Sequence, residues 1–128
     1  MTTDALRPRQ RFSGDGWSVD LHEDGDLEIC TLRGEFDFAV SAKLAETLPT
    51  DPGARPLVLD MSEVGYCDSS CLQVLLQLSG RVREAGGRLA LVTTVPVVVR
   101  PIELLGLGDV LPLHPSVAAA RASWSEEP

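Results

Sequence analysis

Two short apolar runs constrain this chain more than anything else in it. Leu57-Val58-Leu59, entered from Pro56 and closed by Asp60, and Leu89-Ala90-Leu91-Val92 are continuous rather than alternating. A strand apolar at every position needs cover on both faces, the condition of a parallel sheet flanked by helices. Between the runs, Cys71, Leu75, Leu78, Val82 and Ala85 recur at helical spacing, joined by Leu72 and Leu76, while Gln73, Gln77, Arg81 and Glu84 take the outer side. Gly86-Gly87 stops that helix. Strand, helix and strand in this order form a right-handed parallel crossover unit.

The flanking sequence extends the unit in both directions. Trp17, Val19 and Leu21 alternate up to Asp24-Gly25, and Leu27, Ile29 and Thr31 alternate beyond it, which predicts a hairpin with one buried face. Gly34-Glu35-Phe36-Asp37 closes the second strand. Val40, Leu44 and Leu48 mark a short helix that ends before Pro49, and Asp51-Pro52-Gly53 makes a turn. The Pro56 strand is expected to end near Asp60, with a loop from Met61 to Cys67. Downstream, Pro96 opens a helix that uses Val98, Ile102 and Leu105, with a bend or a later start imposed by Pro101. Val110 to Leu113 reads as a last strand, and Ser116 caps a final helix carrying Val117, Ala120 and Trp124. The expected architecture is α/β, a small mixed sheet of four to five strands with about four helices. Residues 1–14 read as a loose arm, 15–125 as one domain and 126–128 as a fraying end.

With 128 residues the chain is long enough to close one core unaided. Its net charge of -8 argues against nucleic acid, and the one basic cluster, Arg7, Arg9 and Arg11, falls in the expected arm. No run approaches the roughly 20 apolar residues of a membrane span, and the N-terminus lacks the apolar core of a secretory signal. Cytoplasm is the expected address. Three cysteines, an odd number, fit free thiols in a reducing compartment.

Chemistry concentrates in Cys67-Asp68-Ser69-Ser70-Cys71, between a buried strand and the central helix. A serine at a helix N-cap is ordinary, since its hydroxyl accepts from a backbone N–H of the first turn. That reading explains either Ser69 or Ser70, but neither Asp68 nor the second hydroxyl. A helix N-terminus also favours an anion, so a phosphoryl group on Ser69 meets unpaired N–H groups and the positive end of the dipole. Beside Asp68, and near Asp37 from the preceding strand end, the added charge of about -1.5 to -2 alters what can dock.

Competing chemistries lack parts. A serine hydrolase needs a base, and the two histidines, His22 and His114, fall in the first hairpin and beside the last strand. A metal site needs about four ligands, whereas Cys67 and Cys71 supply two, and Cys71 points inward. Their spacing is not that of a CxxC redox pair, so buried cysteine as a small apolar residue is the plainer reading. Lys43, the sole lysine, follows no glycine-rich phosphate loop. Any kinase acting on this chain is another protein, no cofactor is expected here, and no catalytic residue is assigned.

"GEFD" at Gly34 to Asp37, "LVLDMSEVGYCDSSCL" from Leu57, "REAGGRLALV" from Arg83 and "VPVVVRPIELLGLGDVL" from Val95 together resemble the STAS domain, specifically the bacterial anti-sigma factor antagonists. The resemblance runs from about Trp17 to Trp124. It implies helices packed mainly on one side of a small sheet, and a protein that is a substrate and a ligand rather than an enzyme. It further implies that Ser69, directly after Asp68, is phosphorylated by an anti-sigma factor serine kinase using ATP, with Ser70 the lesser acceptor. Asp37 matches the acid of the family's "GELD" segment on the partner surface. Unphosphorylated antagonist binds the kinase and frees its sigma factor, phosphorylated antagonist lets go, and a phosphatase restores it.

The family motif commonly reads Asp-Ser-Ser/Thr-Gly-Leu-Gly, whereas Cys71 and Gln73 stand here at the two glycines. Cys71 suits the inner face, while a side chain at Gln73 reshapes the docking face or selects a particular kinase. That loss leaves room for a second reading, a STAS subunit of a lipid-transport or stress-sensing assembly without a switch. A third, a small-molecule or nucleotide sensor, has no sequence feature behind it.

Overall fold

The computed structural model describes residues 9–48 and 55–125. The expected turn at Asp51-Pro52-Gly53, Arg7 with the first part of the arm, and the fraying end at 126–128 lie outside the described residues. In chain order the elements are β1 (Gln10–Gly14), β2 (Trp17–Asp24), β3 (Leu27–Phe36), α1 (Phe38–Thr47), β4 (Leu57–Cys67), α2 (Ser69–Glu84), β5 (Leu89–Val92), α3 (Pro96–Leu104), β6 (Leu113–His114) and α4 (Val117–Ser125). The six strands form one sheet in sequential order. β1, β2 and β3 pair antiparallel, and β3 through β6 pair parallel, each parallel step carried by a crossover helix.

The sheet separates two apolar layers. On one face α1, α2 and α3 bury Leu44, Leu75, Leu78 and Ile102 against Leu32, Leu59, Met61 and Leu91. On the other, α4 lays Val117, Ala120 and Trp124 over Leu27, Ile29, Val58 and Ala90. The central apolar runs are therefore covered on both faces, as their lack of alternation requires. Ser116 caps α4, its Oγ accepting from the Ala119 N–H at 3.0 Å.

Several boundaries differ from expectation, each for a local reason. Residues 10–14 are not part of a loose arm: they form β1, turned back by Asp15-Gly16 with Gly16 at φ 78°. Arg11 is held there by Asp20, at 2.6 and 2.9 Å, and Asp20 also accepts from Arg33 at 2.9 Å. Arg9 pairs with Glu28, so neither arginine is the free basic arm that nucleic acid would need. β4 does not stop near Asp60 but runs on to Cys67. Its register against β3 shifts between Thr31 and Arg33 and again between Gly34 and Glu35, each time with an extra residue on β4. These bulges absorb the polar and glycine positions while keeping Met61 and Val64 buried.

The later elements shift less. The final strand is Leu113–His114 rather than 110–113, because Leu111 turns inward to the core from a bend. Ala85, expected on the inner face of α2, is its exposed C-cap. α3 begins at Pro96, where a missing N–H costs nothing, and contains Pro101. Leu105 lies beyond its last turn and is 64% exposed instead of buried.

Candidate functional site

The site forms where two parallel strands end together. Phe36 of β3 and Cys67 of β4 are register partners, and the next residue on each strand, Asp37 and Asp68, caps the following helix. Phe36 is fully buried and meets Trp17 edge to face, with ring centroids 6.5 Å apart. The β3 end is thereby anchored. Gly34, two residues earlier, has φ 106°, and a Cβ there would stand 2.0 Å from the carbonyl oxygen of Gly16. Glycine is required at that crossing, which also lets the Glu35 N–H reach the Gly16 carbonyl at 2.9 Å.

Asp68, not a serine, is the N-cap of α2. Its Oδ1 accepts from the Ser70 N–H at 3.0 Å, from the Cys71 N–H at 3.1 Å and from the Ser70 hydroxyl. A carboxylate two residues before the second free N–H competes better for these donors than a hydroxyl does, since the acceptor is charged. The Ser70 hydroxyl and the two backbone donors hold the Asp68 carboxyl below the usual carboxylate range. Asp37 is the N-cap of α1, accepting from the Val40 N–H at 3.0 Å.

The neighbouring serines are consequently unequal. Ser69, the first residue of α2, is exposed, and no hydrogen bond engages its hydroxyl among the described residues. Ser70 is half-buried and tied to Asp68. Two of the N–H groups expected to await a phosphate are already taken by Asp68, so the helix end is not an empty anion cradle.

Four large apolar side chains stand exposed among the described residues, and two of them, Phe38 and Leu105, border Ser69. Of the large apolar side chains, Phe38 is 79%, Tyr66 46%, Leu104 81% and Leu105 64% exposed. Leu105 joins Ser69, Leu72, Val97 and Pro101 in a groove of about 180 Å³ between α2 and α3, and Phe38 borders Ser69 and Gln73 on the other side. Sequence reasoning missed this rim. Phe38 at the start of α1 stands outside the inward periodicity, whereas Leu105 fits it and was expected to be buried.

Cys67 lines the Ser69 groove, Cys71 lies buried in the first turn of α2, and Cys30 is in mid-β3. Cys71 is buried in the main core, its thiol pushed up by a hydrogen bond with Cys67 and by burial, and burial likewise pushes up the Cys30 thiol. Neither is poised as a thiolate. Among the described residues no three His, Cys, Asp or Glu side chains gather as a metal centre would need. His22 bonds Thr31 on the α4 side of the sheet, and His114 lies in β6; neither joins Ser69.

The fold is that of an α/β domain, and the candidate site lies at the carboxyl ends of parallel strands, where loops of this architecture carry function. The STAS domain family model matches residues 18–120, and the chain belongs to that family. BtrV of Bordetella bronchiseptica is 32% identical over 103 residues, 79% of this chain and 88% of that protein. The anti-sigma-F factor antagonist RsfA of Mycobacterium tuberculosis is 29% identical over 106 residues, 83% of this chain and 79% of the relative. An anti-sigma factor antagonist from Mycobacterium paratuberculosis has the same fold, with TM-score 0.70 at 24% identity, covering 87% of this chain and 96% of that one. The anti-sigma factor antagonist SpoIIAA superposes with TM-score 0.63 at 17% identity over 86% of this chain and 99% of its own. Among the described residues no helix is long and apolar enough to cross a membrane.

Proposed function

We propose that this chain is an anti-sigma factor antagonist switched at Ser69. Unphosphorylated, it binds an anti-sigma factor that is also a serine kinase and so releases the sigma factor. The kinase transfers the γ-phosphoryl of its own ATP to the Ser69 oxygen, whose proton leaves to a base on the kinase, and ADP remains there. The phosphorylated chain dissociates until a phosphatase hydrolyses the ester. The chain supplies the acceptor hydroxyl and the docking surface, and it works in the cytoplasm beside the transcription machinery.

The observation that carries this reading is the contrast between an exposed, unengaged Ser69 hydroxyl and its bound neighbour Ser70. The names of the sequence relatives support it. The apolar rim supplies the reason for release. Phe38 and Leu105 border Ser69, so a partner seated on them desolvates whatever Ser69 carries. A hydroxyl tolerates that, whereas a group of about -2 charge beside Asp68 does not. Because Asp68 keeps the first-turn donors, the phosphate does not retire into the helix end and its charge stays at the interface.

Calorimetric titration of the kinase with Ser69→Ala and Ser69→Asp tests the switch. Tight binding by the first and weak binding by the second is expected. Equal binding removes the charge mechanism and favours a STAS subunit of another assembly.

A further inference from the structure

A second depression lies on the α1 side of the α2 N-terminus, away from α3. Ser41 and Ala45 of α1 face Ser70, Gln73 and Gln77 of α2 across a volume of about 170 Å³, with Phe38 at the mouth. None of its lining side chains is ionisable, although 23% of the chain is charged. Ser41 is 2% exposed, and its hydroxyl has no hydrogen-bond partner among the described residues. A buried hydroxyl left unpaired is costly, and a polar group brought from outside relieves that cost.

Two amides border the depression in a defined arrangement. Gln73 and Gln77 stand four residues apart on one face of α2, both exposed, each with a donor and an acceptor to offer. That pattern suits a backbone segment with unpaired N–H and C=O groups. Phe38, Ser70 and Gln73 also border the surface that contains Ser69. Whatever covers Ser69 during phosphoryl transfer covers this mouth as well.

We infer that the groove between α1 and α2 seats an uncharged segment of the same anti-sigma kinase, and that Phe38, Gln73 and Gln77 determine which kinase the chain accepts. The inference rests on the function proposed above. An apolar side chain of the segment packs on Phe38 and Ala45, its backbone bonds the two glutamines, and a polar group reaches Ser41. A charged occupant would be buried without a counter-charge, which the lining excludes. Phosphate at Ser69 decides whether binding occurs; the groove decides with whom.

The test titrates each anti-sigma kinase of the source organism, purified singly, with the unphosphorylated wild type, Phe38→Ala, the double variant Gln73→Ala/Gln77→Ala and Ser69→Asp. Circular dichroism confirms that each variant is folded; the substituted side chains in the groove variants are exposed. The double variant and Phe38→Ala should each weaken binding to the preferred kinase about tenfold, with the preference over other kinases shrinking by the same factor. Wild-type affinity and preference in the groove variants, with Ser69→Asp still weak, overturns the groove and leaves the switch intact. No binding of wild type to any of the kinases overturns both.

Discussion

Phe36 and Cys67 are register partners at the ends of neighbouring parallel strands, and each hands the chain to an aspartate that starts a helix. Asp37 and Asp68 are thus equivalent in construction: a strand end, buried at Phe36 and half-buried at Cys67, a carboxylate cap, and an exposed first helical residue, Phe38 on one side and Ser69 on the other. The duplication puts an exposed apolar side chain and an exposed hydroxyl side by side on the same edge of the domain.

The two caps should behave differently when removed. Asp37→Ala loses the bond from the Val40 N–H and should lower unfolding free energy by about 1 kcal/mol, with Asp37→Asn nearly neutral. Urea denaturation of the three proteins checks this. Asp68→Ala also releases the Ser70 hydroxyl. Mass spectrometry after kinase treatment should then find phosphate on Ser70 as well as Ser69, a pattern the wild type should not show.

Acid should destabilise the domain through its carboxylates. Asp20 is 3% exposed, and its pKa is lowered chiefly by the hydrogen bonds from Arg11, with Arg33 adding to it; that of Asp68 is lowered by Ser70 and the backbone donors. A depressed folded-state pKa means that the unfolded chain binds protons first. The stability is fully present above the ordinary aspartate range and is lost as pH falls from about 4 through the folded values. Asp20→Asn should cost about 2 kcal/mol at neutral pH and flatten the acid limb, as measured by thermal unfolding from pH 7 to pH 2.5.

Two glycines should respond oppositely to the same substitution. Gly34→Ala forces a side chain to φ 106° and onto the Gly16 carbonyl, and should destabilise by more than about 2 kcal/mol. Gly80 lies within α2 with nothing within 4 Å of an added Cβ. Gly80→Ala should stabilise by about 1 kcal/mol, because alanine loses less backbone freedom in a helix. Paired denaturation curves decide both.

The parallel centre was legible because Leu57-Val58-Leu59 and Leu89 to Val92 leave no polar face, and α2 because Cys71, Leu75, Leu78 and Val82 hold one inward stripe. β1 was missed although Asp15-Gly16 is a hairpin signal. Only Phe12 in its five residues packs on the core, so periodicity had little to report. β4 was cut short because Ser62-Glu63 and Gly65 look like a loop, and bulges appear only once the partner strand is in place. Asp68 and Ser69 do stand at the N-terminus of α2 as expected, but the cap is Asp68 where a serine was expected. Choosing between an aspartate and a serine as cap depends on which residue keeps extended backbone, and Asp68 does, at φ -89° and ψ -171°. That Phe38 and Leu105 border Ser69 depends on exposure, which no sequence pattern carries.

In the proposed switch Ser69 alone carries the phosphate. The most direct test is phosphosite mapping of the wild-type chain after incubation with its anti-sigma kinase and ATP, alongside Ser69→Ala and Ser70→Ala. A single phosphate on Ser69, retained in Ser70→Ala and absent from Ser69→Ala, is predicted. Phosphate on Ser70 in the wild type, or none at either serine, would rule this switch out.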